Sequence, residues 1–151
     1  MHIQLFEQSI NPWEIIQEYE QQHSGLAGRH GANVTFVGRM RDFNEAETIS
    51  SMQLEHYPGM TEKFLTSIAE EATGKWDIMD VLIVHRVGEI SPGDTIVIVV
   101  VWAAHRAHAY EANQYIMEAL KSRAPFWKKE TLADGGARWV EKNTPGKVDN
   151  K

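Results

Sequence analysis

The 151-residue sequence contains no cysteine. It therefore forms no disulfide, binds no metal through thiolate, carries no sulfur on a side chain of that type and offers no cysteine nucleophile. Positive charge is also in short supply, with 15 Lys and Arg against 21 Asp and Glu and a formal net charge of -6. That balance argues against non-specific nucleic-acid binding, which depends on neutralising phosphates, but leaves room for a small basic pocket around one phosphorylated molecule. No apolar run reaches the roughly 18 residues that suggest a membrane-spanning helix, and no signal-peptide pattern opens the chain. A cytoplasmic protein that meets neither membrane nor nucleic acid is the expectation. The sequence also lacks a GxSxG elbow, a GxGxxG fingerprint and an HExxH pair, which removes support for a serine hydrolase, a dinucleotide site and a zincin. His105 and His108 share a helical spacing, but further ligands are missing, so neither metal nor cofactor is implied.

What the sequence does contain is the pattern of one α+β domain, expected over residues 1–142 and followed by a polar tail at 143–151. After a short edge strand at residues 3–6, Asn11 and Pro12 open a helix, with Ile10 and Ile15 as its hydrophobic staple and Trp13, Ile16 and Tyr19 as its inward face. A strand follows from Ala32 to Arg41. Its alternation sets Val34, Phe36 and Met40 on one face and Thr35, Val37, Arg39 and Arg41 on the other. Asp42 to Thr48 reads as a loop, Ile49 to Tyr57 as a strand, and Met60 to Trp76 as a helix whose stripe of Leu65, Ile68, Ala69 and Ala72 covers a sheet. Val81 to Val87 reads as a strand in which His85 is a buried or half-buried, hydrogen-bonded residue in preference to a ligand, and Gly88 to Asp94 as a connection. Thr95 to Trp102 is apolar almost without interruption and reads as a central strand buried on both faces.

The most informative stretch runs from His105 to Lys129. A helix there directs Ala109, Ala112, Ile116, Ala119 and Leu120 inward, with Tyr110, Asn113 and Glu118 elsewhere around it. Arg106 and Lys121 stand about four turns apart, so on one straight helix they cannot touch the same small group. Pro125 stops the helix, and Phe126-Trp127 can anchor Lys128 either as an aromatic core plug with solvated lysines or beside a ligand site. Asp134-Gly135-Gly136 predicts a hairpin from Thr131 to Val140 with Arg138 on its return strand.

Arg41, Arg106 and Arg138 suit a phosphate, because guanidinium groups make directional contacts to paired oxygens. Arg39 and Arg41 also fit an ordinary solvated strand face. Lys121 or Lys128, if its ammonium is destabilised by burial or by a neighbouring cation, becomes a nucleophile or base. These residues support either an enzyme or a non-catalytic module that holds a phosphorylated metabolite or a small protein. An RNA platform built on Phe126 and Trp127 is opposed by the acidic total and the absence of an RNA motif.

Several separated motifs occur together in one order: Thr35-Phe36 through Arg41, Leu54-Glu55-His56-Tyr57-Pro58-Gly59-Met60, His85-Arg86-Val87-Gly88-Glu89, Ala104-His105-Arg106, and Lys121 through Lys128. In these the chain resembles the large, catalytic subunit family of molybdopterin synthase over nearly its whole length. The resemblance implies an α/β-hammerhead-like α+β fold with a mixed sheet and packed helices. It implies a homodimer within a heterotetramer, with a small ubiquitin-like sulfur carrier at each end whose Gly-Gly terminus is a thiocarboxylate. Two sulfur transfers to cyclic pyranopterin monophosphate would then give molybdopterin. It further implies Lys121 as the leading catalytic residue, Lys128 as a second catalytic or positioning group, and Phe36 and Arg41 as pocket residues. His105, Arg106 and Arg138 would form an anion-binding group that approaches a neighbouring subunit's Lys121, with Arg39 and Arg123 as auxiliary cations.

Overall fold

The organising strand is β7 (Thr95–Ala103), in which all nine residues are buried. Because side chains alternate along a strand, its β-branched run serves two cores at once. Val97, Val99, Val101 and Ala103 enter the larger core, while Ile98, Val100 and Trp102 enter a smaller one on the opposite face. The computed structural model describes residues 1–44 and 47–140, so the expected 143–151 tail and its boundary lie outside the described residues.

Beside β7 lie β5 (Asp80–Arg86) and β2 (Ala32–Arg39), both antiparallel to it, and β1 (His2–Phe6) runs parallel to β5, giving the order β1-β5-β7-β2. A second sheet holds β3 (Phe43–Asn44), β4 (Glu47–His56), β8 (Phe126–Leu132) and β9 (Ala137–Trp139) in that order, with β6 (Gly88–Ile90) also paired to β4. The result is the expected α+β domain with a mixed sheet and packed helices. Among the described residues, no helix is long and apolar enough to cross a membrane.

Helices α2 (Met60–Lys75) and α3 (Arg106–Arg123) cover the larger core. Their buried stripes are those the 3.6-residue period predicts: Leu65, Ile68, Ala69 and Ala72 on one, Ala109, Ala112, Ile116, Ala119 and Leu120 on the other. Helix α1 (Pro12–Gln22) covers the smaller core, capped by the Asn11 side chain, which accepts hydrogen bonds from Trp13 N at 3.1 Å and Glu14 N at 3.4 Å. Trp13, expected inward, is 61 % exposed. It stands about 120° round the helix from the buried Tyr19, so one apolar face cannot hold both.

Three further expectations are corrected. The loop expected at Asp42 to Thr48 contains β3 and the start of β4, paired Phe43 to Thr48 and Asn44 to Glu47. The connection expected at Gly88 to Asp94 begins with β6, opposite Met52–Leu54 of β4. Asn113, expected away from the core, is buried, and its Nδ2 donates to the carbonyls of Val34 and Val99 at 2.9 Å each. One amide thus pins α3 to both strands of the β2–β7 pair.

That clamp gives the fold a test. Asn113→Ala removes the side-chain donor from one buried and one part-buried carbonyl and is expected to cost about 2 kcal/mol, seen as a fall in melting temperature of roughly 4–8 °C. An unchanged thermal unfolding curve would show that the clamp contributes nothing.

Candidate active site

Lys121 lies in the last turn of α3 and Lys128 on β8, and the sharp turn between them brings the two side chains together. Pro125 makes that turn, since Pro cannot continue a helix and holds the preceding Ala124 extended at φ -71°, ψ 136°. The corner is fixed from outside as well. Thr61, at the start of α2, donates through Oγ1 to the Pro125 carbonyl at 3.2 Å and accepts from Tyr57 N at 3.0 Å. Beyond the corner, β8 pairs with β4 from His56↔Phe126 to Ile49↔Leu132. Alternation along β8 then turns Phe126, Lys128 and Glu130 inward and leaves Trp127 and Lys129 exposed.

The two lysines line two adjoining cavities. One, of about 240 Å³, is completed by His85, Leu120, Ala124 and Phe126 among others. The other, of about 160 Å³, contains Arg39, Arg41, Phe43 and Glu130. Burial pulls the Lys121 ammonium below its usual pKa, while a hydrogen bond with Lys128 opposes the shift. Lys128 is pushed down to about 8, first by burial and then by the Lys121 charge, with Glu130 acting in the other direction. Two ammonium groups cannot both remain charged cheaply in this space. Above about pH 8 the pair holds one proton, with the Lys121 ammonium donating to a neutral Lys128 amine.

Sequence reasoning does not single out Glu130. It is buried, its carboxylate accepts from Asn44 Nδ2 at 3.0 and 3.2 Å and from Arg138 Nε at 3.3 Å, and it helps to retain the Lys128 proton. The Phe126, Lys128, Glu130 alternation is the signal that could have found it. His85, expected from sequence to be buried, is 2 % exposed and also lines the first cavity.

The remaining candidates separate. Arg39 and Arg41 both reach the second cavity, although β2 ends at Arg39 and Met40 between them enters the core. Arg39 Nη1 donates to Thr95 Oγ1 at 3.2 Å, and Met40 is held by bonds from its N to Asp94 O and from Gly93 N to its O, each 2.9 Å. Phe36 lines neither cavity and is 40 % exposed. Its ring lies over Gly38, where a Cβ would stand 3.1 Å from Phe36 Cε1 and 2.7 Å from Val97 Cγ1, so glycine is needed for this packing.

His105 and Arg106 are exposed at the far end of α3, and the helix runs unbroken to Arg123. From Arg106 to Lys121 is about 22 Å along the axis, so one chain does not bring them together. Arg138 supports the site indirectly, through Glu130 and through its Nη2, which donates to Asn44 O at 2.7 Å. Arg123 faces away and grips Glu71 of α2 with two bonds, 2.7 and 2.8 Å. Among the described residues, no group of three or more His, Cys, Asp or Glu side chains is arranged to hold a metal ion.

Comparison with known proteins agrees across sequence and structure. The family model described as MoaE protein matches residues 7–123, a span that includes Lys121 and stops before Lys128. The chain is 48 % identical to the molybdopterin synthase catalytic subunit of Haemophilus influenzae over 141 residues, 93 % of this chain and 90 % of that protein. It is 52 % identical to the subunit of the same name from Escherichia coli over 132 residues, 86 % of this chain and 85 % of that one. The solved MoaE protein of Burkholderia ambifaria superposes with a TM-score of 0.77 at 41 % identity, covering 95 % of this chain and 92 % of that one. A family model spanning most of the chain, with near-half identity sustained over nine-tenths of it, shows that the chain belongs to the MoaE family of molybdopterin synthase catalytic subunits.

Proposed function

We propose that this chain is the catalytic subunit of a molybdopterin synthase. It converts cyclic pyranopterin monophosphate to molybdopterin in the cytoplasm by two sulfur transfers from the C-terminal thiocarboxylate of a small ubiquitin-like carrier ending in Gly-Gly. The observation that carries the reading is the Lys121–Lys128 pair, half-buried, mutually hydrogen-bonded and set between two cavities, one of which also holds Arg39 and Arg41. A lysine pair sharing one proton presents an acid and a base side by side. The absence of cysteine fits a chain that shapes the reaction while its partner carries the sulfur.

In each transfer the carrier sulfur forms a bond to a substrate carbon as that carbon's bond to oxygen breaks and the oxygen leaves with a proton, and water then cleaves the carrier's acyl–sulfur bond and takes up the acyl group. Lys121 leads as the group that activates the reacting atoms. Lys128 exchanges the shared proton with it, and Arg39 and Arg41 hold negative charge. The separation of about 22 Å along α3 supports a homodimer within a heterotetramer, in which a neighbouring subunit's copies of His105 and Arg106 complete the phosphate site.

The decisive assay is product formation followed by mass spectrometry, with and without thiocarboxylated carrier. Carrier-dependent gain of two sulfurs is expected, and carrier binding without any sulfur transfer in a single turnover would establish a binding module instead. Lys121→Ala is expected to lower the rate by about 10²–10⁴-fold with carrier binding retained. Near-wild-type turnover would remove Lys121 from its leading role.

The lowered Lys128 pKa makes two further outcomes measurable. Activity should rise with pH through about 8 as the pair loses its second proton, and a rate that is flat from about pH 6.5 to 9.5 would contradict this. Below about pH 8 the folded state also bears the full penalty of the second buried charge, which is relieved between the folded value near 8 and the unfolded value near 10.5. Lys128→Met should therefore stabilise the chain by on the order of 2 kcal/mol at about pH 7, and by much less at about pH 10.5. Urea unfolding at the two pH values checks the sign.

A further inference from the structure

We propose that His85 contacts the molecule being processed, its Nε2 accepting a hydrogen bond from an N–H that enters the cavity beside the lysine pair. The inference rests on the functional reading above and adds a residue to it.

The ring is fixed on two sides. Its Nδ1 lies 2.7 Å from the Arg86 carbonyl, and its face stacks on Phe126 at 4.1 Å between centroids and 17° between planes. A carbonyl only accepts, so Nδ1 must carry the proton, and Nε2 of the neutral ring is then a bare lone pair. Among the described residues nothing donates to it. Burial first, and then the neighbouring Lys121, Lys128 and His56, keep the ring uncharged against the opposing Arg86 bond, its pKa pushed down to about 3. Protonation would put a third cation beside two lysines.

The lining of the cavity makes that lone pair distinctive. Leu120, Ala124, Phe126 and Val140 have no polar side-chain atom, and the indole N–H of Trp127 only donates. An ammonium likewise only donates, and the neutral amine of the pair is already engaged by its partner. Among the described residues, the first cavity thus surrounds an entering anion with donors and offers one fixed side-chain acceptor, His85 Nε2. A thiocarboxylate or phosphate finds nothing to donate there. Two entering groups do: the peptide N–H of the carrier's terminal glycine, and a ring or amino N–H of the pterin.

Paired substitutions separate this contact from a structural role. Asn places an amide donor near the position of Nδ1 and keeps a bond to the Arg86 carbonyl, but has nothing at Nε2. Gln places an amide oxygen near the position of Nε2 and loses the Arg86 bond. Product formation by His85→Asn should fall about tenfold in kcat/KM, with His85→Gln recovering most of the loss and both retaining a cooperative melt. The reverse order, Asn active and Gln impaired, would make His85 a structural residue and overturn the proposal, as would wild-type activity in both.

Two binding measurements identify the donor. Calorimetry with carrier ending in an ordinary, unreactive carboxylate should show about tenfold weaker binding to His85→Asn if the terminal peptide is the donor. A roughly tenfold higher KM for the phosphorylated substrate with carrier affinity unchanged assigns the donor to the ring. If neither moves, the contact does not exist. Nitrogen-15 NMR of the histidine rings gives a reading independent of turnover: Nε2 of His85 should be unprotonated from about pH 5 to 8 and shift when carrier or substrate is added. A protonated Nε2, or a signal indifferent to both ligands, would overturn the proposal even if the wild-type chain forms product. Absence of product from wild type, with the NMR shift present, would instead count against the sulfurtransferase reading alone.

Discussion

Two ammonium groups held in one half-buried space repel each other and lose hydration together, and that conflict shapes everything around Lys121 and Lys128. Such a pair is tolerated only where a rigid frame prevents the side chains from swinging out to water. The frame has identifiable parts. A straight helix delivers one lysine, a proline corner tied to Thr61 reverses the chain, and a strand paired along β4 delivers the other. Glu130 then tempers the repulsion from one side, itself held by Asn44 and Arg138.

The rigidity of that frame traces back to the doubly buried β7. Its side chains anchor α3 through the larger core, while α1 seals the other face around Tyr19 and Trp102. Helix α1 reaches the site through the sheet that it packs against. Asn113 adds a polar tie where α3 crosses the β2–β7 pair, so the helix is held against sliding by directional bonds as well as by its alanine-rich contact face.

Features set by neighbours in the chain are legible in the sequence. The Asn11 cap, the apolar run of β7 and the helical stripes of α2 and α3 each need only a few consecutive residues to be recognised. Features set by a distant partner are not. β3 and β6 are too short to show a period, and each exists because β4 lies alongside. Asn113 looks like a surface residue until the carbonyls of Val34 and Val99 are placed opposite it. Alternation correctly predicts a buried His85, but not the cavity in front of it. A lysine of depressed basicity is physically plausible from burial arguments, whereas its assignment to a particular reaction comes from family resemblance.

The alternation along β8 has one more consequence. Lys128 and Lys129 are chemically alike, and what distinguishes them is only which side of the strand each occupies. Counting from Pro125, a single inserted or deleted residue would exchange their places, bringing Lys129 or Trp127 to where Lys128 now stands. In this segment spacing is therefore as much a part of the chemistry as residue type. Changes of chain length between Pro125 and Lys128 should be far rarer among functional relatives than substitutions at the exposed positions 127 and 129.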